Sequence, residues 1–185
     1  MMDEPRIVVL TLEDLRQVSA WAATCARDSL EVFERACPGD SRPREAVDAA
    51  WAFATGGARG KLLRDTAWAA LRAAREAADG GGADPAARAA DAAARSAMSA
   101  ASAAYLHPLA DAAQVKHILG AAAYAARSAE ILAGDDPGVG RACIAEARRR
   151  APSTVVDVLR RYPAALPGGG RIGDLMRDLD EQLRR

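Results

Sequence analysis

The chain has 185 residues, of which half are hydrophobic and only 4% are aromatic. The chain has 25 basic and 25 acidic side chains, so its net charge is zero. This balance argues against a protein that coats nucleic acid or binds a strongly acidic substrate. About a quarter of the residues are Ala, the strongest helix former, and strand-like runs of Val, Ile and Thr are almost absent. We therefore expect an all-α protein with a tight core of small residues. Its large core side chains are predicted to be Trp21, Trp51, Trp68, Phe33 and Phe53.

The cysteines and the apolar segments bear on location. Cys25, Cys37 and Cys143 share no metal-binding spacing and are expected to be inert thiols in a reducing compartment. The opening MMDEPRIVVL is acidic, and its apolar stretch is too short for a secretion signal. No apolar span reaches the roughly 18 residues of a membrane helix. The sequence thus predicts a cytoplasmic protein that has no membrane partner.

The first two helices are delimited by a cap and two prolines. Thr11 followed by Asp14 is typical of a capping box and predicts the start of helix 1. The apolar stripe of helix 1 continues at helical spacing to Pro38. After a Pro-Gly-Asp-Ser turn, helix 2 is predicted to begin at Pro43 and to end at Gly56.

Glycine, proline and capping residues also predict the boundaries of helices 3 to 5. Helix 3 is expected to stop at the glycine-rich segment Asp79–Gly82. Asp84 supplies a side-chain acceptor for the next helix, and Pro85 has no N–H to leave unpaired there. The predicted spans are Lys61–Ala78 for helix 3, Asp84–Tyr105 for helix 4 and Ala110–Ala133 for helix 5.

The last three helices are shorter. A second Asp-Pro pair at Asp136 and Pro137 opens helix 6, and Pro152 opens a short helix 7. We expect one domain of about seven to eight helices, arranged as a single compact bundle or as stacked helix hairpins. It comprises residues 1–185, with a main bundle at 11–165, a Gly-rich linker at 166–170 and a C-terminal docking helix at 171–185.

Residues 101–127 hold most of the rare polar side chains, including both histidines and one of the two lysines. We predict a ligand-binding or partner-binding site at this corner between helices 4 and 5, with Trp51 or Trp68 as an apolar wall. A histidine or tyrosine there is suited to acid–base work, but the same cluster also suits a purely structural corner. The candidate residues are Tyr105, His107, Asp111, Lys116, His117 and Tyr124.

A second polar segment surrounds the turn before helix 2. Arg42 and Arg44 are candidates for binding a carboxylate or phosphate of a partner through their guanidinium forks. The alternative is that they cap helix 2 and form surface ion pairs, which stabilise a protein by only about 0–1 kcal/mol each.

Several signatures do not occur in the chain. His107 and His117 lack the spacing of metal ligands, so no metal site is predicted. No phosphate-binding glycine motif, zinc-protease motif or nucleophile elbow occurs, and the glycine runs follow helices rather than strands. The sequence therefore predicts no cofactor and no nucleic-acid partner.

Two stretches resemble a known family. They are CARDSLEVFERACPGDSRPREAVDAAWAFATG (Cys25–Gly56) and AYLHPLADAAQVKHILGAAAYAARSAE (Ala104–Glu130). Both are similar to the immunity-type-5-like proteins of bacterial polymorphic toxin systems, in their actinobacterial style. The similarity covers most of residues 11–165. It implies an all-α protein that neutralises a toxin, and it carries over no catalytic residue.

Two functional hypotheses result. The first is a cytoplasmic, non-enzymatic helical protein that blocks a protein toxin by contact, as the resemblance implies. The alternative is a small-molecule-binding protein or unorthodox enzyme with its pocket at the corner of helices 4 and 5. A homodimer formed through an alanine face is compatible with either hypothesis.

Overall fold

The structure is a computed structural model that describes residues 6–185, and this part of the chain is all-α, as predicted. The first five residues of the predicted domain lie outside the described part. Within that part, the only strand-like pairing is an isolated antiparallel bridge between Ile7 and Leu109. The helices are α1 Leu12–Ala36, α2 Arg42–Ala54, α3 Lys61–Gly81, α4 Pro85–Ser102, α5 Val115–Leu132, α6 Pro137–Arg150, α7 Ser153–Arg160 and α8 Gly170–Arg184, with 3₁₀ turns at Ala103–Tyr105 and Ala112–Gln114.

The predicted helix caps are confirmed. The Asp14 amide donates to Thr11 Oγ1 over 3.0 Å, and the Thr11 amide donates to Asp14 Oδ2 over 2.9 Å. The side chains of Asp84 and Asp136 cap α4 and α6 by accepting from the amide two residues ahead. Asp14 also pairs with Arg161 of the segment after α7. These bonds lower the pKa of Asp14, although burial acts in the opposite direction.

Three helix boundaries differ from the prediction by three residues or more. α4 ends at Ser102 rather than at Tyr105, because Ala103–Tyr105 forms a separate 3₁₀ turn. α3 runs three residues beyond Ala78 and ends at Gly81, before the left-handed Gly82 (φ +56°). A Cβ on Gly81 would lie 2.0 Å from the Cβ of Ala87, so glycine lets the ends of α3 and α4 approach closely. α5 begins at Val115 rather than at Ala110, because the preceding residues form a separate 3₁₀ turn.

α4 occupies the middle of the bundle and packs against α1, α3 and α5. Eleven of its 18 residues are buried, and all of them are Ala or Ser. Ser96 Oγ donates to the Ala121 carbonyl over 2.7 Å, and Ser128 Oγ of α5 donates to the Ala89 carbonyl over 2.8 Å. These side-chain-to-backbone bonds join α4 and α5 directly, since the residues that meet at both points are Ser and Ala.

The prediction of the large core residues is right for three side chains and wrong for two. Trp21, Phe33 and Phe53 are buried. Trp51 is 37% exposed beneath the guanidinium of Arg27, and Trp68 is 60% exposed. The buried faces of α2 and α3 consist mainly of small residues, with Phe53 and Leu63 as their large side chains, and the rings of Trp51 and Trp68 lie outside these faces.

α8 packs on α5, α6 and α7, and its contact with α5 and α6 includes the buried carboxylate of Glu130. The side chain of Glu130 is 1% exposed and pairs with Arg127 and Arg171, of which Arg171 belongs to α8. Gly140 of α6 faces this carboxylate, and an added Cβ would lie 2.0 Å from Glu130 Oε1. A buried carboxylate is tolerated only where such partners satisfy it, so α5, α6 and α8 depend on one another at this point.

The three cysteines are free thiols. Burial raises the pKa of the Cys25 thiol to about 12, which keeps it protonated and unreactive. Burial also raises the pKa values of Cys37 and Cys143.

Across residues 6–185, no helix combines the length and apolar character that a membrane crossing requires.

We predict that Gly140→Ala lowers the free energy of unfolding by about 1–3 kcal/mol, since the new methyl group meets the fixed side chain of Glu130. Urea denaturation followed by circular dichroism measures the change. Gly80→Ala in α3 is the matched control, because its Cβ has no neighbour within 4 Å. That control should raise stability by about 0.5–1 kcal/mol. Equal stability of Gly140→Ala and the unaltered chain would contradict the packing around Glu130.

Candidate functional site

A cavity of about 500 Å³ opens between α3, α4 and α5, and α8 closes one side of it. Most of its lining is aromatic or aliphatic. The lining residues are Arg64, Ala67, Trp68, Leu71, Met98, Ser99, Ser102, Tyr105, Lys116, His117, Gly120, Tyr124 and Met176.

Helical spacing explains how α3 and α5 line the cavity. Arg64, Trp68 and Leu71 lie four and three residues apart, which places them on one face of α3. On α5, His117 and Tyr124 lie seven residues apart, or about two turns. Each helix therefore presents a continuous stripe to the cavity.

The floor of the cavity depends on close contact between α4 and α5. A Cβ on Gly120 of α5 would lie 3.2 Å from Ser99 Oγ of α4 and 3.8 Å from Met176 Cε of α8. The absence of a side chain at Gly120 therefore lets the floor form where three helices meet.

Tyr105 is held in place at the end of α4. Its hydroxyl donates to the Gly60 carbonyl over 2.7 Å, which ties it to the residue before α3. The guanidinium of Arg64 lies 5.7 Å from the centroid of the Tyr105 ring, in cation–π contact. The ring and the cation are thus positioned together at one side of the cavity.

His117 is half-buried, and its imidazole is kept neutral. Burial is the main cause of its lowered pKa, and the charge of neighbouring Lys116 lowers the pKa further. A hydrogen bond to the backbone of Ser102 opposes part of this shift. At neutral pH the cavity therefore contains an uncharged imidazole.

The charged groups of the cavity are all basic. Arg64 and Lys116 are exposed at its edge, and no lining residue is acidic. With His117 neutral, the cavity combines an apolar interior with two positive charges. Its electrostatic potential therefore favours an anion over a cation.

The structure brings four of the six predicted corner residues together: Tyr105, Lys116, His117 and Tyr124 all line the cavity. His107 and Asp111 lie outside it. Asp111 caps the 3₁₀ turn before α5 by accepting from the Ala113 amide over 2.8 Å.

His107 is exposed, and only its backbone is engaged. Its amide donates to Gln114 Oε1 over 3.0 Å, and its carbonyl accepts from the Tyr162 hydroxyl over 2.8 Å. These bonds fix the chain between α4 and α5, and His107 is not among the residues that line the cavity.

Arg42 and Arg44 also lie away from the cavity, and carboxylates of the same chain engage their guanidinium groups. Arg42 Nη2 lies 2.6 Å from Asp40 and 2.5 Å from Glu76 of α3. Arg44 Nε lies 2.6 Å from Glu34 of α1. These pairs join α1, α2 and α3, and the Arg42 guanidinium lowers the pKa of the Asp40 carboxyl.

Of the two tryptophans considered as an apolar wall, Trp68 lines the cavity and Trp51 does not. The sequence prediction did not include Arg64, although the spacing to Trp68 was a usable signal. Nothing in the sequence indicated Met176 as a lining residue, because only the tertiary packing of α8 brings it to the cavity. Among residues 6–185, no group of three or more His, Cys, Asp or Glu residues is placed to hold a metal ion.

Comparison with known proteins gives one match. Residues 9–153 match the family model described as Imm-5 like putative immunity protein. No curated protein and no solved structure matches the chain. The matched span contains α1 to α6 and every lining residue of the cavity except Met176. It confirms the family resemblance found in the sequence.

We predict that acidification below pH 6.5 destabilises the protein in part through His117. The unfolded chain takes up a proton near the ordinary imidazole pKa of 6.5, whereas the folded chain takes it up only at lower pH. The free energy of unfolding therefore falls as the pH drops from 6.5 to the lowered pKa. Urea titrations between pH 7.5 and 5 should show this loss reduced in His117→Gln and retained in the exposed control His107→Gln. An unchanged slope in His117→Gln would contradict the assignment.

Proposed function

The chain belongs to the Imm-5 like immunity protein family, and from this premise we propose that it neutralises a protein toxin by binding to it. The match over residues 9–153 is the observation that carries the proposal. Inhibition is by contact, with one immunity protein consumed for each toxin molecule. The encounter takes place in the cytoplasm, where free thiols such as Cys25 stay reduced.

The rigidity of the bundle supports a role in binding. Small residues of α4 pack directly against three neighbouring helices, and ion pairs join α1 to α2 and α2 to α3. A surface that is ordered before the encounter loses little conformational entropy on association. This construction suits a stoichiometric inhibitor, which has no turnover to compensate for weak binding.

The chemistry of the cavity also favours binding over turnover. Acid–base catalysis by a histidine commonly uses a carboxylate that orients the imidazole and stabilises its charged form. His117 has no acidic neighbour in the cavity lining, and its pKa is lowered. We therefore assign the imidazoles no catalytic role in neutralisation.

The direct test uses a toxin domain, sought among the genes that flank the gene for this chain. Expression of that domain alone should arrest growth, and co-expression of the full chain should restore it. Purified together, the two proteins should elute as one complex, and light scattering should give its stoichiometry. The same measurement on the free protein decides whether it forms a homodimer. Absence of both a complex and growth rescue would overturn the proposal.

We predict that the double variant His107→Gln/His117→Gln still protects cells, because contact does not need an imidazole. Protection should end at the expression level at which toxin exceeds immunity protein, since a contact inhibitor is consumed one for one. Circular dichroism establishes that the variant is folded. Loss of protection by the folded variant would indicate catalysis, as would protection at a small fraction of the toxin concentration.

A further inference from the structure

We propose that the cavity between α3, α4 and α5 binds a small amphipathic anion, that is, a molecule with an apolar, ring-containing body and one acidic group. This site goes beyond toxin neutralisation, since it needs no partner protein. Its volume of about 500 Å³ lies within the range of pockets that enclose small organic ligands.

The walls fit an apolar body that contains a ring. Trp68, Tyr105 and Tyr124 supply three aromatic side chains from three different elements. Aromatic side chains in a cavity lining favour a ligand with a ring, which can stack on them or meet them edge to face. Met98 and Met176 complete the apolar wall, and the flexibility of methionine lets it fit ligands of different outline.

The exposure of Trp68 also supports the binding of an apolar body in the cavity. This ring leaves 60% of its surface open to solvent beside a concave apolar space. A ligand in the cavity would remove part of that surface from water, at about 25 cal/mol for each Å² of apolar area.

The charges select an anion. Arg64 and Lys116 come from two different helices and are both at the cavity, with no acidic residue in the lining to neutralise them. Lys61, one turn before Arg64, shows the contrasting arrangement, because Asp65 lies 3.7 Å from its Nζ. A carboxylate or sulfonate at the edge of the cavity would gain charge-assisted hydrogen bonds, whereas a cation would be repelled.

A second observation indicates that Lys116 binds the acidic group of the ligand. A neighbouring cavity of about 420 Å³ lies between α5 and the segment that leads into α8, and it shares Lys116, Tyr124 and Met176 with the first. Lys116 therefore stands where the two spaces join. An acidic group there leaves the aromatic cavity free for the apolar body.

The test uses two fluorescent probes that differ in one charged group. The anion 8-anilinonaphthalene-1-sulfonate has the same ring system as the neutral N-phenyl-1-naphthylamine, and both fluoresce strongly in an apolar site. Titrated separately into the full chain without toxin, the sulfonate should bind one to one and about tenfold more tightly than the neutral probe. Tenfold is the size expected for one charge-assisted hydrogen bond.

Matched variants identify the charges. Arg64→Gln and Lys116→Gln should each weaken sulfonate binding by about three- to tenfold and leave the neutral probe unaffected. Arg75→Gln and Lys61→Gln are the controls, since both residues are exposed on α3 and neither lines the cavity. Trp68→Ala should weaken both probes, and its thermal unfolding should stay near that of the unaltered chain because Trp68 is largely exposed.

Three outcomes would overturn the proposal. One is equal affinity for the two probes, and another is sulfonate binding that survives the double variant Arg64→Gln/Lys116→Gln. The third is that neither probe binds and that added toxin protects Trp68 from iodide quenching. That result would mean that the toxin itself binds at the cavity. Growth rescue is scored separately, so failure here leaves the immunity function standing.

Discussion

The fold depends on the close approach of α4 to three other helices, and this approach is possible only because its buried side chains are Ala and Ser. Small residues allow helix axes to lie near the short end of the usual spacing of about 8–10 Å. Any larger side chain on the buried faces of α4 would push α3 and α5 apart. The cavity forms between these same helices, and its large side chains stand at the margin of an alanine-rich core. Its shape is therefore a consequence of how the centre packs.

A second constraint acts through Glu130. Its buried carboxylate joins Arg127 on its own helix to Arg171 on α8, and the pair is stable only while both cations remain. Because α8 carries Met176, this ion pair also contributes to holding the fourth side of the cavity in place. The family match ends at residue 153, before α8 begins. The shared part of the fold thus supplies the polar and aromatic walls, and the terminal helix encloses them.

Features that depend on neighbours in sequence could be predicted, and features that depend on packing between distant segments could not. The Thr11 capping box and the Asp-Pro helix starts are local, so the residues alone determine them. Tyr105 and Tyr124 were assigned to one site because they flank the same predicted corner. His107 was assigned with them, but it does not line the cavity, and its backbone instead bonds to Gln114 and Tyr162. Arg42 pairs with Asp40 nearby and also with Glu76, which lies 34 residues away on α3, a distance at which sequence gives no pairing signal.

The two proposed activities meet at Trp68. This ring is a wall of the cavity and also exposes 60% of its surface, and tryptophan is the residue most enriched at the energetic centres of protein interfaces. A toxin that covers Trp68 would compete with a ligand stacked on it or trap that ligand, and in either case the two binding free energies are linked. Linkage is reciprocal, so a ligand that changes toxin affinity by some factor has its own affinity changed by the same factor. A toxin that binds elsewhere on the bundle leaves that factor at one. The coupling between small anion and toxin therefore locates the inhibitory surface relative to the cavity without a structure of the complex.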